Sequence, residues 1–267
     1  MKDRLLFEIH KMKDLIDELS LTYKENDIRK SYFEYIHAHL AFFYQNLYFL
    51  DDNCFIDAHR KISKIPDLYR DKLQVATTHL ISSNNSKLLV ECWSSFELAI
   101  TLIAEEFVSM DEKNDILQND YKSVKKIIKS TSEEIDIKLQ KKLIKKHFTL
   151  CSLPEKYNKL YKIIKDKYST KRDIENDKKF LGFVGRLRNC IHSNYIYFGS
   201  EIEDFTFNNI KVFFKNGKIV TFDPRKDDII IDIVIETVNI FKCIIDSIEN
   251  KDLIENPALD LYEIIRG

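Results

Sequence analysis

Residues 229–249 set the terms for the rest of the chain. They read IIIDIVIETVNIFKCIIDSIE and are apolar nearly all round. The β-branched opening has strand propensity, but the run far exceeds an ordinary strand of about five or six residues, so it is predicted to be a helix buried on every side. Such a helix needs other apolar faces around it. The chain can supply them as helices, because its 267 residues include only 5 Gly and 4 Pro, too few turn formers for a many-stranded sheet. A hydrophobic content of 44% over this length is enough for one large or two small domains with a real core.

Apolar residues at helical spacing mark the elements in order. Over 3–24, Leu5, Ile9, Met12, Leu15, Ile16 and Leu19 make one stripe, and Asp27 is placed to cap the next helix. That helix, about 28–50, carries aromatics on more than one face, among them Tyr32, Phe33, Phe42, Phe43 and Tyr48, which suits a central helix or a dimer interface. His37 and His39 lie two apart, on different helical faces, and are rejected as a metal pair. A shorter helix is expected over 67–82, stopped by Ser82-Ser83-Asn84-Asn85-Ser86. A strong one follows at 87–108. Its Glu91, Ser94, Ser95, Glu97, Thr101, Glu105 and Glu106 fall on one half, opposite Val90, Trp93, Phe96, Ile100, Ile103 and Phe107.

Between 110 and 179 lysine, acids and asparagine dominate, with helix starts readable as capping boxes at Ser130/Glu133 and Ser152/Glu155. Lysines from Lys122 to Lys146 make a locally basic zone, able to hold RNA backbone but ordinarily a solvated face. The one convincing β signal comes at 205–222. There 205–207, 210–214 and 219–222 are β-prone, and Asn216-Gly217 is placed as a two-residue hairpin turn. The expected architecture is therefore all-α, a helical bundle with a small hairpin inserted before the long C-terminal helix. Its expected divisions are an aromatic-rich region at 1–82, a helical domain at 83–250 and a tail at 251–267, with a final turn or helix at 257–265.

Lys+Arg 42 against Asp+Glu 43 leaves a net charge of −1, so no global field draws the protein to nucleic acid and any such contact is local. The five cysteines, Cys54, Cys92, Cys151, Cys190 and Cys243, are scattered, odd in number and without a CxxC pair. They read as free buried thiols in a reducing cytoplasm. The charged N-terminus lacks a signal-peptide core, and no apolar run is long enough to span a membrane. Gly-rich phosphate loops, HExxH and GxSxG are all missing, which removes the common NTPase, zinc-protease and α/β-hydrolase readings. No metal site or cofactor is expected.

The most site-like stretch is 180–195, FLGFVGRLRNCIHSNY. On a helix, Arg188 and His192 are i,i+4 neighbours projecting from one face. A permanent cation whose planar fork fits phosphate oxygens then sits beside an imidazole that titrates near neutrality. Gly182 and Gly185 each cost roughly 1 kcal/mol against Ala inside a helix, which the close approach of another helix would explain.

Arg188-Asn189-Cys190-Ile191-His192, near the end of a predicted helix and followed by Ser193-Asn194-Tyr195, resembles the signature of HEPN domains: an arginine, four to six residues, then a histidine, often with a polar residue after the arginine. Three residues intervene from Arg188 and five from Arg186. Arg188 is favoured for Asn189 and the face it shares with His192, with Arg186 as second choice. The resemblance covers roughly 80–250 and implies a metal-independent endoribonuclease, a toxin or defence effector acting on RNA as a homodimer, with an antitoxin or regulatory protein as a further partner. It casts Arg188, His192 and Asn189 as catalytic, with Glu97 or Glu91 as a contributed acid and Arg186, Asn194 and Tyr195 as accessory positions. The rival readings are a non-catalytic HEPN-like module binding RNA or protein, which the short interval favours, and a helical scaffold in which the motif is accidental. In some HEPN toxins a tyrosine two residues after the histidine is modified. Tyr195 lies three after, so that control is not carried over.

Overall fold

The computed structural model describes residues 2–51, 68–113, 151–168, 172–199, 203–220, 229–249 and 252–257. The protein is all-α with one small hairpin. Among the described residues the main helices are α1 (Lys2–Leu19), α2 (Ile28–Asp51), α3 (Leu68–Phe107), α4 (Leu153–Ile164), α5 (Ile174–His192) and α6 (Ile229–Asp246), and the strands are β1 (Glu203–Phe207) and β2 (Ile210–Phe214). Cys54, the Ser130 capping box, the lysine zone and most of 257–265 lie outside the described residues.

Three boundaries differ from expectation. The expected break at 82–86 is absent, since α3 runs unbroken for 40 residues. Serine and asparagine cost at most about 0.7 kcal/mol each inside a helix, and extending a helix costs less than nucleating a second one. Without Gly or Pro, a polar run does not stop it. Helix α5 starts at Ile174, well before 180, because Asp173 caps it: Oδ1 accepts the N–H groups of Glu175 at 2.7 Å and Asn176 at 3.2 Å. The hairpin turn, finally, is not Asn216-Gly217. Strand β2 pairs backward with β1 in antiparallel register, Phe207 opposite Ile210, and Asn208-Asn209 turn the chain with φ of 48° and 62°. Positive φ at both central residues is what a type I′ turn requires, and asparagine tolerates it. Asn216-Gly217 makes a second turn, Gly217 at φ 69°, which returns the chain to 195–197 through an Ile196–Ile219 bridge.

The chain forms two compact units. The first comprises Met1–Thr22, Tyr32–Ser95 and Phe180–Asn239. In it α1 buries Leu5, Met12 and Leu19, and α2 buries Tyr32, Phe33, Ile36, Leu40, Phe43 and Leu47. Phe42 on the same helix stays 47% exposed, so the aromatics of α2 serve both a core and a surface. Aromatic rings clamp the hairpin onto α5: Phe183 stacks on Phe205 at 4.3 Å, Phe180 meets Phe207 at 5.0 Å, and Phe214 meets Phe183 at 6.0 Å. Asp232, in the first turn of α6, accepts from Asn208 Nδ2 at 3.0 Å and pairs with Arg4. These bonds hold the hairpin turn and α1 to one carboxylate.

The second unit comprises Tyr23–Ser31, Phe96–Lys179 and Ile240–Gly267. Phe96 and Phe241 meet edge-on at 6.2 Å. Ser152 opens α4 as its capping box anticipates, its N–H donating to Glu155 Oε2 at 2.9 Å. Buried Asp177 accepts from Arg172 Nε and Nη2 at 2.9 and 2.7 Å and from the Tyr168 hydroxyl at 2.5 Å, a charge-assisted network that fixes the first turn of α5. Asp27 caps α2 as expected and forms a buried pair with Arg29. Among the described cysteines Cys92, Cys151, Cys190 and Cys243 are free thiols. No helix among the described residues is long and apolar enough to cross a membrane.

Candidate functional site

Helix α5 sorts its residues by face. Phe180, Leu181, Phe183, Val184, Leu187 and Cys190 are buried, while Asn189 and His192 are exposed and Arg188 is half-buried. At about 100° per residue, Arg188 and His192 share a face. Arg186 points elsewhere: its guanidinium lies 5.7 Å from the Phe214 ring centroid, and Nη1 lies 3.7 Å from where a Cβ on Gly182 would stand. Arg188 instead donates from Nη1 to Asn189 Oδ1 at 3.1 Å, which ties the guanidinium to the side chain beside it.

His192 is the last residue of α5, and the helix ends there for a local reason. Asn194 takes φ 53°, the Tyr195 N–H reaches Cys190 O at 2.6 Å and the Asn194 N–H reaches Ile191 O at 3.2 Å. This is a Schellman closure with asparagine in the usual glycine place. Tyr195, also left-handed at φ 64°, hydrogen-bonds through its hydroxyl to Ser86 of α3. The end of α5 is therefore fixed from both sides, and the imidazole emerges at a defined point. Asn194 is exposed beside it.

The remaining candidates have other neighbours. Glu91 is engaged by α2: Oε2 lies 3.3 Å from His39 Nδ1, and Oε1 lies 3.6 Å from Lys87 Nζ. Glu97 belongs to the second unit, where it acts electrostatically on the largely buried Lys156, whose Nζ donates to Thr101 Oγ1 at 3.2 Å. Burial lowers the Lys156 ammonium from its ordinary value, and Cys151, Glu105, Glu97 and Glu155 oppose that shift. Gly185 needs no second subunit, because the Trp93 indole lies 3.3 Å from where its Cβ would stand.

One constellation was not read from sequence. His39 Nε2 lies 3.4 Å from Ser95 Oγ, so the ring bridges a carboxylate and a hydroxyl from successive turns of α3. Glu91 and Ser95 stand i,i+4, a visible spacing, but nothing in the sequence pairs them with α2. Burial holds His39 below the ordinary 6.5, with Glu91 opposing and Lys87 reinforcing, which makes the contact a neutral hydrogen bond at pH 7. The folded protein then binds fewer protons here than the unfolded chain, so this contribution to stability is full above about pH 6.5 and is lost as pH falls below it. His39→Gln should flatten the pH dependence of the urea midpoint in that window, and an unchanged profile would refute the assignment.

Comparison of the chain with protein-family models, curated proteins and solved structures finds no match. Among the described residues no group of three or more His, Cys, Asp or Glu side chains is placed to hold a metal ion.

Proposed function

We propose that the protein is a HEPN-like, metal-independent endoribonuclease acting as a toxin or defence effector. The observation that carries this reading is the shared face of α5 from which half-buried Arg188 and exposed His192 project, with Asn189 held against the guanidinium at 3.1 Å. In the proposed reaction His192 takes the proton of a ribose 2′-hydroxyl as that oxygen bonds to phosphorus, and the P–O5′ bond breaks with a proton passing to the leaving oxygen. The products are a 2′,3′-cyclic phosphate and a 5′-hydroxyl. Arg188 stabilises the charge that builds on the non-bridging oxygens, where a fixed cation acts most strongly on the transition state.

One imidazole and one guanidinium are sparse for both proton transfers, and a two-fold dimer of α5 ends would double the set. With Gly185 occupied by Trp93, Gly182 is the glycine that supports such an approach, since among the described residues a Cβ there would meet the flexible tip of Arg186. Light scattering at micromolar concentration should give a dimer, and a strict monomer counts against this part of the proposal. The three-residue Arg188-to-His192 interval favours a second reading, an RNA-binding module without cleavage. Incubating purified protein with total RNA and a chelator, beside an Arg188/His192 double variant, separates the two: cleavage that survives chelation and vanishes in the variant supports the enzyme.

A further inference from the structure

The chain that leaves α5 carries an outward face that the site itself does not use. Alternation along β2 buries Ile210, Val212 and Phe214 and turns Lys211 and Phe213 to solvent. The paired segments beyond it alternate likewise, with Tyr197 and Val220 inward and Ile196 facing Ile219 across their bridge. Phe198 is 71% exposed, Ile219 64% and Phe213 45%, large apolar side chains turned to solvent on segments joined by the Ile196–Ile219 bridge and by the Tyr197–Phe214 ring contact at 5.2 Å. Cations interleave with them. Lys211 Nζ lies 4.8 Å from the Phe213 centroid, Lys215 and Lys218 are exposed, and 205–220 contains no Asp or Glu, although Asp204 of β1 stands opposite Phe213 in the register.

We propose that this face is a platform for single-stranded RNA, on which unpaired bases stack on Phe198 and Phe213 while Lys211, Lys215 and Lys218 contact the flanking phosphates. Charge decides the occupant: Lys211, Lys215 and Lys218 outnumber Asp204, which stands opposite Phe213 across the hairpin, and exposed aromatics among such cations suit a polyanion with flat apolar bases, whereas an apolar protein partner would leave three ammonium groups to be desolvated. Proximity fits as well. Phe198 lies six positions after His192, a reach of at most about 20 Å, or only a few nucleotides. A duplex keeps its bases stacked inside and cannot use such a platform. The proposal rests on the ribonuclease reading for its substrate class, and it adds that the strand must be unpaired on one side of the cut.

The test is fluorescence anisotropy with a labelled single strand of roughly twelve nucleotides and with a blunt duplex of equal length, on full-length protein carrying His192→Ala so that RNA stays whole. Adding Phe198→Ala should weaken single-strand binding about tenfold or more and leave duplex binding unchanged. Lys215→Ala with Lys218→Ala should lower the salt slope of single-strand binding by about 0.7 for each ammonium–phosphate pair removed. Because these side chains are exposed, matched circular dichroism and melting should show intact folding. Unchanged single-strand affinity in Phe198→Ala, equal losses on duplex, or no RNA binding at all overturns the platform. So does a dimer that Phe198→Ala and Ile219→Ser convert to monomer. A parallel cleavage assay on the parent keeps the two readings apart: Phe198-dependent binding without cleavage retains the platform and removes the enzyme, and cleavage with Phe198-independent binding does the reverse.

Discussion

His192→Ala is expected to lower RNA cleavage by about 10²–10⁴-fold, the usual contribution of one general acid–base group, with the fold unchanged. The fold should survive because the imidazole is exposed at the end of α5, and the Schellman closure that ends the helix is made by backbone groups of Cys190, Ile191, Asn194 and Tyr195. Arg188→Ala should cost a similar factor. Arg188→Lys should restore little of it, since lysine keeps the charge but loses the planar fork and the directed bond to Asn189. Arg186→Ala is the control that separates the two possible motif registers. Its guanidinium lies over Phe214, so its removal should loosen the hairpin by about 0.5–2 kcal/mol and show in the melting temperature more than in turnover. Initial rates on a defined single-stranded RNA with chelator present decide the matter. If His192→Ala cleaves as fast as the parent, or Arg186→Ala is the only arginine change that matters, the assignment fails.

The sequence made the fold class legible because helical periodicity is a long-range signal repeated over many turns, as in α1, and because the apolar run of α6 is too long for a strand. What it concealed was local and competitive. Asn216-Gly217 is the stronger turn dipeptide, but Asn208-Asn209 takes the hairpin because that register lets Phe205 and Phe207 reach Phe183 and Phe180, a packing effect no dipeptide rule contains. Asp173 caps α5 well ahead of the apolar run that marks this helix, which begins only at residue 180. Within the candidate site, the shared face of Arg188 and His192 followed from spacing alone. The surroundings of Glu91 and Glu97 did not, because an exposed-looking carboxylate takes whatever partner folding brings to it. Glu91 meets Lys87 of its own helix and His39 of α2, and Glu97 acts on Lys156 of α4.

The largest effect on stability is expected at Asp27. Arg29 and Asp27 are 0% and 1% exposed, and the fork is bidentate, Nε to Oδ1 at 2.9 Å and Nη2 to Oδ2 at 2.6 Å. Asp27 Oδ1 also accepts the Arg29 backbone N–H at 2.9 Å, capping α2. The same guanidinium donates to Asp252 O at 2.5 Å and lies 4.3 Å from the Tyr23 centroid. Around it the C-terminal segment is stitched to the start of α2, Ile28 N–H to Ile254 O and Asn256 N–H to Asn26 O, both at 2.9 Å. Asp27→Ala removes the carboxylate that forks this fully buried cation, so it should destabilise the protein by about 3–5 kcal/mol, the usual cost of deleting one partner of a buried ion pair. Loss of the cap adds about 1 kcal/mol more. Asp27→Asn keeps an acceptor for the cap and should recover only that smaller part. Replacing both members together, Asp27→Leu with Arg29→Met, should cost much less than Asp27→Ala alone, because two apolar side chains leave no charge to desolvate. Urea midpoints for the four proteins test this ordering, and a double variant as unstable as Asp27→Ala would mean that shape, not charge, holds this corner together.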